Sequence, residues 1–235
     1  MKLRLLLAAA VVVMGTAGVA YAAGGAFNQV KPEEFDPGHT MLVQAQWIEG
    51  IGCPTGASTF DGTSNTAFTD TACTTGDPRD KHNRGLLLAK TGPTANDAAA
   101  TARLTDVPST VTELGYDIRK PGSSFDPRGS HCGAGAPRFD IVTQDGSIFF
   151  LGCNSPAATS QSSSTGWTRL RWDGGTEVFP QFGGPQVRLD SLQVKEIVIL
   201  FDEGQDAGPD NFGLAVLDNI DVNTTLVGRG GGDSD

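Results

Sequence analysis

Short runs in which apolar and polar residues alternate recur along the chain, and glycine, proline and aspartate separate them. Such runs are typical of β-strands that bury one face. They predict strands at residues 41–48, 86–90, 110–114, 138–143, 147–151, 167–172, 186–190, 193–201 and 214–222. Asp145 and Gly146 form a turn sequence between RFDIVT and SIFFLG, so these two runs are expected to form a hairpin.

Helical periodicity is almost absent from the sequence. Residues 94–104 contain many alanines, which favour a helix, but they also alternate and lie between predicted strands, so we predict a strand. Many short strands in one chain of this size predict an all-β fold, an antiparallel, jelly-roll-like β-sandwich. Three stretches have the composition of long loops: residues 52–83, 120–137 and 154–166.

The first 22 residues have the three parts of a secretory signal peptide: a basic start, an apolar middle and the exit Ala20-Tyr21-Ala22. An uncleaved membrane anchor is the alternative, because the apolar character lasts for nearly the width of a membrane. The small residues at the exit favour cleavage after Ala22. We therefore expect a secreted or cell-envelope protein, with one β-sandwich domain over residues 23–228 and a disordered tail over 229–235.

The chain is acidic, with 17 basic and 27 acidic residues and a net charge of −10. Removal of residues 1–22 takes away Lys2 and Arg4, which leaves 15 basic against 27 acidic residues, or −12. A chain of this charge repels the phosphates of nucleic acids. We therefore expect no binding of nucleic acids. The acidic side chains could instead bind cations.

Four cysteines, all after the predicted signal peptide, suggest two disulfide bonds in an exported protein. Three pairings are possible in principle, and the pairing local in sequence is Cys53–Cys73 with Cys132–Cys153. A zinc site is the alternative, but no Cys-x-x-Cys motif or cluster of histidines supports it. We predict the two local disulfides.

Sequence signatures of catalysis are missing. His39, His82 and His131 are far apart in sequence, and no Gly-x-Ser-x-Gly motif accompanies them. A glycosidase needs two carboxylates across the scissile bond, and the Glu-x-Asp-x-x-Glu spacing common on sandwich folds does not occur. We therefore predict a protein that binds without catalysing a reaction.

The stretch DEGQDAGPDNFGLAVLDNID carries six acidic residues in twenty positions. Strand alternation places Asp218 on the same face as Leu214, Val216, Ile220 and Val222, and this face is expected to be the core. A buried carboxylate needs a partner. Calcium, held by Asp218 with Asp206 or Asp210, is one hypothesis. The alternative is that Asp218 accepts hydrogen bonds from backbone amides of a loop or pairs with an arginine.

The segment WTRLRW is the second candidate site. Alternation places Trp167, Arg169 and Arg171 on one face and Leu170 and Trp172 on the other. An exposed tryptophan beside two arginines could stack on and hydrogen-bond a sugar. The alternative is that Trp167 covers the end of the sandwich while the arginines pair with acidic residues.

The closing run AVLDNIDVN, preceded by its acidic glycine loop, resembles the last strand of jelly-roll carbohydrate-binding modules and other galactose-binding-like sandwiches. The strand GLLLAKT could belong to the same type of sandwich. The resemblance implies binding of an extracellular glycan, with calcium as a structural ion. The alternatives are a structural or adhesive cell-envelope protein and a hydrolase or lyase on the same fold.

Overall fold

The computed structural model describes residues 27–60, 62–91, 98–120, 136–202 and 212–230. The predicted signal peptide lies outside them, and no helix among them is long and apolar enough to cross a membrane. These residues form sixteen strands and one turn of 3-10 helix at Leu189–Ser191. The strands are β1 Gln29–Phe35, β2 Val43–Ile48, β3 Thr55–Phe60, β4 Asn65–Thr69, β5 Gly85–Thr91, β6 Ala99–Thr105, β7 Glu113–Arg119, β8 Arg138–Thr143, β9 Ile148–Gly152, β10 Thr159–Ser162, β11 Trp167–Asp173, β12 Glu177–Pro180, β13 Val187–Arg188, β14 Val194–Phe201, β15 Phe212–Val222 and β16 Thr225–Val227.

Two sheets of seven strands each form a sandwich. Sheet 1 has the order β1-β6-β14-β8-β9-β12-β13. Sheet 2 has the order β10-β11-β7-β15-β5-β2, with β16 paired to β15. The remaining strands, β3 and β4, form a separate two-stranded ribbon. All pairings between these strands are antiparallel, which confirms the predicted fold class.

The core lies between the two sheets, because alternate residues of each strand point inward. Its largest aromatic contact joins Tyr116 and Trp172 of sheet 2 to Phe139 of sheet 1, with ring centroids 5.3 to 6.2 Å apart. The polar tips of two of these rings are satisfied: Tyr116 donates to the carbonyl of Pro137, and Trp172 donates to that of Pro156, both at 2.9 Å. The same alternation leaves a second, outward face on each sheet.

Most of the predicted strands are present, including the hairpin of β8 and β9, in which Asp140 pairs with Phe150. The alanine-rich stretch is strand β6, as expected. The strand predicted at residues 110–114 is displaced, since β7 runs from Glu113 to Arg119. Ribbon strands β3 and β4 lie within the predicted loop at residues 52–83, and β10 lies within the one at 154–166.

A β-bulge in β15 overturns the predicted face of Asp218. Register with β7 shifts between Asp218 and Asp221, and Asn219 adopts a left-handed backbone with φ 45°. An extra residue exchanges the two faces of the strand. Core-facing residues are therefore Ala215 and Leu217 before the bulge and Ile220 and Val222 after it, so that Asp218 lies on the outward face of sheet 2.

The two ends of the described chain meet at sheet 1. Gly230 forms a parallel bridge with Val30 of β1, although the sequence pattern places Gly230 in a disordered tail. Residues 231–235 of that predicted tail lie outside the described residues. This contact holds the start of the sandwich next to its end.

Candidate functional site

Four of the sequence-predicted site residues lie on strands of sheet 2, on its outward face. Trp167, Arg169 and Arg171 lie on β11, Asp218 lies on β15, and β7 separates the two strands. Residues 52–84 (without residue 61), which we call the cap, fold over this face. The backbone amides of Cys53 and Asp77 in the cap donate to Asp218 and Asn219 of β15.

Trp167 is not exposed, which corrects the expectation of an accessible aromatic platform. Its exposure is 2%, and it packs with Cys53, Ala72 and Cys73 of the cap. The disulfide Cys53–Cys73 forms as predicted and supplies part of this small apolar cluster. The alternation of β11 is as expected, but the cap turns its outward face into a second interior.

Arg169 and Arg171 are engaged by buried acids. Arg169 donates two hydrogen bonds to Asp117 at 2.8 and 2.9 Å and reaches Thr75 of the cap at 2.8 Å. Arg171 lies 2.9 Å from Asp221 and 3.6 Å from Asp117. These contacts match the alternative in which the arginines neutralise acidic residues. They do not leave a charged surface open to a ligand.

Asp221 is a buried carboxylate in this cluster, and only one of its two oxygens has a partner among the described residues. One oxygen accepts from Arg171, while Oδ1 is buried with no partner among the described residues. Burial raises the pKa of Asp221 to about 7, Arg171 opposes the rise, and the neighbouring Glu113 adds to it. The Asp221 carboxyl group therefore keeps its proton to a higher pH than an ordinary aspartate does.

Asp218 accepts backbone hydrogen bonds, from Cys53 at 2.7 Å and from Asn219 at 2.6 Å. Burial, followed by the charge of Asp117, raises the pKa of Asp218 well above its usual value. Gly52 and Gly228 enclose the carboxylate so closely that a Cβ on either would come within 2.8 Å of its oxygens. This geometry matches the alternative in which Asp218 binds the amides of a loop.

The predicted calcium ligands Asp206 and Asp210 lie outside the described residues. Phe212, where β15 begins, is about 20 Å from Asp218, because six residues of strand rise about 3.3 Å each. Within the described part of the chain, Asp218 accepts hydrogen bonds from two backbone amides, and the carboxylates of Asp117 and Asp80 add negative charge near it. Cys53, Asp70 and Cys73 lie together, but the two sulfurs are bonded to each other and are not free thiolates.

Only one cysteine of the second predicted disulfide lies among the described residues. Cys153 is disulfide-bonded, and its predicted partner Cys132 lies outside the described residues. His131 lies outside them too, whereas His39 and His82 are exposed.

The outward face of sheet 1, which we call the open face, was not predicted as a site. Six side chains from six neighbouring strands form one row across it. The register of the pairs defines the row in the order Lys31, Arg103, Val198, Asp140, Phe150 and Phe179. Phe150 and Phe179 are both partly exposed. The face therefore combines an aromatic half with a charged half.

Arg138 organises the centre of the open face. It donates to Asp140 Oδ1 at 3.0 Å and makes two parallel hydrogen bonds of 2.9 Å to both oxygens of Asp202. Its guanidinium group also lies 5.2 Å from the ring centroid of Phe150, within cation–π distance. A planar group held by three hydrogen bonds has little freedom, so it fixes the positions of Asp140 and the ring.

The charged half repeats this arrangement. Arg103 lies between Glu33, at 3.4 Å, and Glu196, with which it forms a closer ion pair. Burial raises the pKa of Asp140 to about 6, Arg138 opposes the rise, and Asp202 adds to it. The open face thus carries ordered carboxylates and guanidinium groups beside two aromatic rings.

A signal for this site exists in the sequence. The predicted hairpin places Arg138 and Asp140 on one face of β8, opposite to Phe139 and Ile141. A turn at Asp145-Gly146 then brings Phe150 opposite Asp140. The pairing register of β8 with β9 can be counted from this turn. The pairing of β14 with β8 and of β12 with β9 is long-range and cannot be counted in this way.

Comparisons with known proteins give only distant structural similarities. No protein-family model and no curated protein matches the chain. A family 11 carbohydrate-binding module from Clostridium thermocellum, solved in complex with a beta-1,3-1,4-mixed-linked tetrasaccharide, aligns with 82% of this chain and 94% of its own, at 16% identity and a TM-score of 0.35. A beta-1,2-glucanase from Parabacteroides distasonis aligns with 77% of this chain at 14% identity and a TM-score of 0.36, and the chain spans 23% of that enzyme's length.

The structural neighbours therefore include a carbohydrate-binding module, the class that the C-terminal strand resembles. At these TM-scores neither alignment carries an argument about function. The function has to be argued from the residues of the open face.

Proposed function

We propose that the protein is a secreted glycan-binding protein, and that the glycan binds across the open face of sheet 1 without being cleaved. The observation that carries this proposal is the pair of partly exposed rings, Phe150 and Phe179, beside the ordered groups of Arg138 and Asp140. Ligand sites commonly combine apolar rings with a few fixed polar groups.

The chemistry of a sugar fits this combination. A pyranose ring has an apolar face of C–H groups that can lie on an aromatic ring, and a rim of hydroxyl groups that needs donors and acceptors. The row of six strands spans roughly 24 Å, since neighbouring strands lie about 4.8 Å apart. Such a row is long enough for an oligosaccharide, and its two halves differ in polarity.

The arrangement of the carboxylates supports binding over catalysis. Asp202 uses both oxygens on Arg138, and Asp140 shares the same guanidinium group. An acid and a base for glycoside cleavage would have to act from either side of the scissile bond. Two carboxylates fixed to one arginine are better suited to accept hydrogen bonds.

The test is affinity electrophoresis followed by calorimetry with xylan, mannan, mixed-linkage β-glucan and hydroxyethylcellulose. We expect at least one to bind, with no release of reducing ends. Phe150→Ala and Phe179→Ala should each weaken binding about tenfold, or about 1.4 kcal/mol. Phe182, which is 84% exposed in the loop after β12, offers a matched control, and Phe182→Ala should bind like the wild type. Unchanged glycan binding by both Phe150→Ala and Phe179→Ala would refute the proposed site.

Secretion is part of the proposal. The signal-peptide pattern of residues 1–22 supports it, and so does the disulfide Cys53–Cys73, since such bonds persist in oxidising compartments.

Structural calcium is kept as a separate proposal. Its support is the acidic segment with Asp206 and Asp210, which leads into β15. The contacts of Asp218 do not add to that support, and no step of glycan binding depends on the ion.

A further inference from the structure

We propose that the carboxylate of Asp140 accepts a hydrogen bond from a glycan hydroxyl group, and that the glycan is held firmly only while this carboxylate is ionised. This inference rests on glycan binding at the open face. It adds the residue that selects the ligand and a dependence on pH that the protein would show in an acidic environment.

The position of Asp140 is the first argument. In the row across the open face it stands between Val198 and Phe150, next to the aromatic half. A sugar lying on Phe150 would therefore bring its hydroxyl rim to Asp140.

The hydrogen bonds of the two carboxylates are the second argument. Asp140 Oδ1 accepts from Arg138 at 3.0 Å, and no hydrogen bond from the described residues uses Oδ2. Asp202, the other partner of Arg138, has both oxygens occupied. Asp140 Oδ2 is therefore the one carboxylate oxygen of this pair that accepts no hydrogen bond from Arg138, and the Asp140 side chain is 18% exposed.

The surrounding charges are the third argument. The charged groups that act on Asp140 are Arg138 and Asp202, while Glu196 lies on the neighbouring strand β14, and Arg103 and Glu177 lie two strands away. Burial and Asp202 outweigh Arg138, so the pKa of Asp140 rises to about 6. Hydrogen bonds to an ionised acceptor are roughly twice as strong as neutral ones, so protonation weakens the contact with the hydroxyl group.

The experiment measures the affinity for the polysaccharide that binds best at pH 7.5, and repeats the measurement at pH 6.5, 5.5 and 5.0. With a pKa of about 6, about a tenth of Asp140 is ionised at pH 5.0, so the affinity of the wild type should fall about fivefold if the neutral form binds as weakly as Asp140→Asn. Asp140→Asn should bind about tenfold more weakly at pH 7.5 and change less than about twofold across the series.

Two further variants separate this role from a structural one. Asp202→Asn removes the other acidic partner of Arg138, whose charge helps to raise the pKa of Asp140, so this variant should still lose affinity on acidification but at a lower pH than the wild type. Glu49→Gln changes an exposed acid that pairs with Arg84 beside β2 of sheet 2, away from the open face, and should follow the wild type at every pH. Thermal melts at each pH show whether the variants are folded.

The outcomes are distinct. A wild-type affinity that is constant from pH 7.5 to 5.0, or wild-type affinity of Asp140→Asn at pH 7.5, would overturn the role of Asp140 while glycan binding stands. Binding of none of the four polysaccharides at pH 7.5 would overturn the proposed function, and this inference with it.

Discussion

At the scale of single residues, Asp218 joins two distant parts of the chain. Its carboxylate is buried on β15, and it accepts the backbone N–H of Cys53, 165 positions earlier, and that of Asn219. A buried carboxylate of this kind is costly unless donors surround it. Its removal leaves those donors without a partner, so the cost of losing Asp218 extends to the cap.

We therefore expect Asp218→Ala to lower the free energy of unfolding by about 2 to 4 kcal/mol. The measurement is urea denaturation in calcium chelator, with Asp190→Ala as a partly exposed control that should change the free energy of unfolding by less than about 1 kcal/mol. A loss below about 1 kcal/mol for Asp218→Ala would contradict the role of the carboxylate in holding the cap.

Thermal melts of the wild type and of Asp218→Ala, each in calcium and in chelator, test the structural calcium proposal. Calcium that binds the folded form should raise the melting temperature of the wild type, and Asp218→Ala should lose most of that gain only if Asp218 is one of the ligands. A wild-type melt that is the same in calcium and in chelator would end the calcium proposal. It would leave Asp218 as an acceptor of backbone hydrogen bonds alone.

At the scale of elements, the cap is a segment with little apolar surface of its own. Every residue of β4 is exposed, and an isolated two-stranded ribbon is marginally stable in water. The disulfide Cys53–Cys73 crosses the base of this ribbon and packs on Trp167. The bond therefore supports the cap both as a cross-link and as part of its apolar contact.

Replacement of both cysteines, Cys53→Ser with Cys73→Ser, should lower the free energy of unfolding by about 3 kcal/mol, as expected for a closed loop of about 20 residues. Hydrogen exchange followed by mass spectrometry should show faster exchange of the amides of the cap, including that of Asp77. Peptides from β8 and β9 serve as the internal control and should not change. Equal protection of the cap in both proteins would contradict this role of the disulfide.

Elements that bury one face were predictable from the sequence, because burial imposes alternation. Strands β8, β9, β11 and β14 all carry this pattern, and each lies within about two residues of its predicted bounds. Ribbon strands β3 and β4 have no apolar face, so their threonine, serine and glycine residues resemble a loop.

The candidate site was harder to predict, for two physical reasons. The bulge at Asn219 reverses the faces of β15, and alternation alone cannot locate such a reversal. The burial of Trp167 depends on a cap that is distant in sequence, while the row through Asp140 depends on the order of strands in sheet 1. Both are results of long-range packing.

At the scale of the whole molecule, the acidity of the chain acts on stability through its buried acids. Burial raises the pKa of Asp140 to about 6 and that of Asp221 to about 7, and raises that of Asp218 well above its usual value. A carboxyl group with a higher pKa in the folded state stabilises the fold fully below its unfolded pKa, near 4. That contribution is lost as pH rises through the folded pKa.

We therefore expect the free energy of unfolding to be larger at pH 5 than at pH 8. Exposed acids with lowered pKa values, such as Asp36 and Asp145, act in the opposite direction, but only below about pH 4. Asp221→Asn should reduce the difference in the free energy of unfolding between pH 5 and pH 8 by on the order of 2 kcal/mol, since Asp221 is buried beside Arg171. Urea denaturation at pH 5, 6, 7 and 8 is the measurement, and greater stability at pH 8 would contradict the prediction.

The bridge between Val30 and Gly230 holds these two residues about 5 Å apart at one edge of the sandwich, so the two ends of the described chain lie near each other. Neighbouring ends allow a fold to be spliced into a surface turn of a host protein, or to be circularly permuted, with little strain on the rest. A short glycine linker from Gly230 to Phe27 would close the chain. New ends opened at the exposed turn around Gly146 would leave both sheets and the disulfide Cys53–Cys73 in place. The fold is thus suited to insertion into a host protein and to circular permutation.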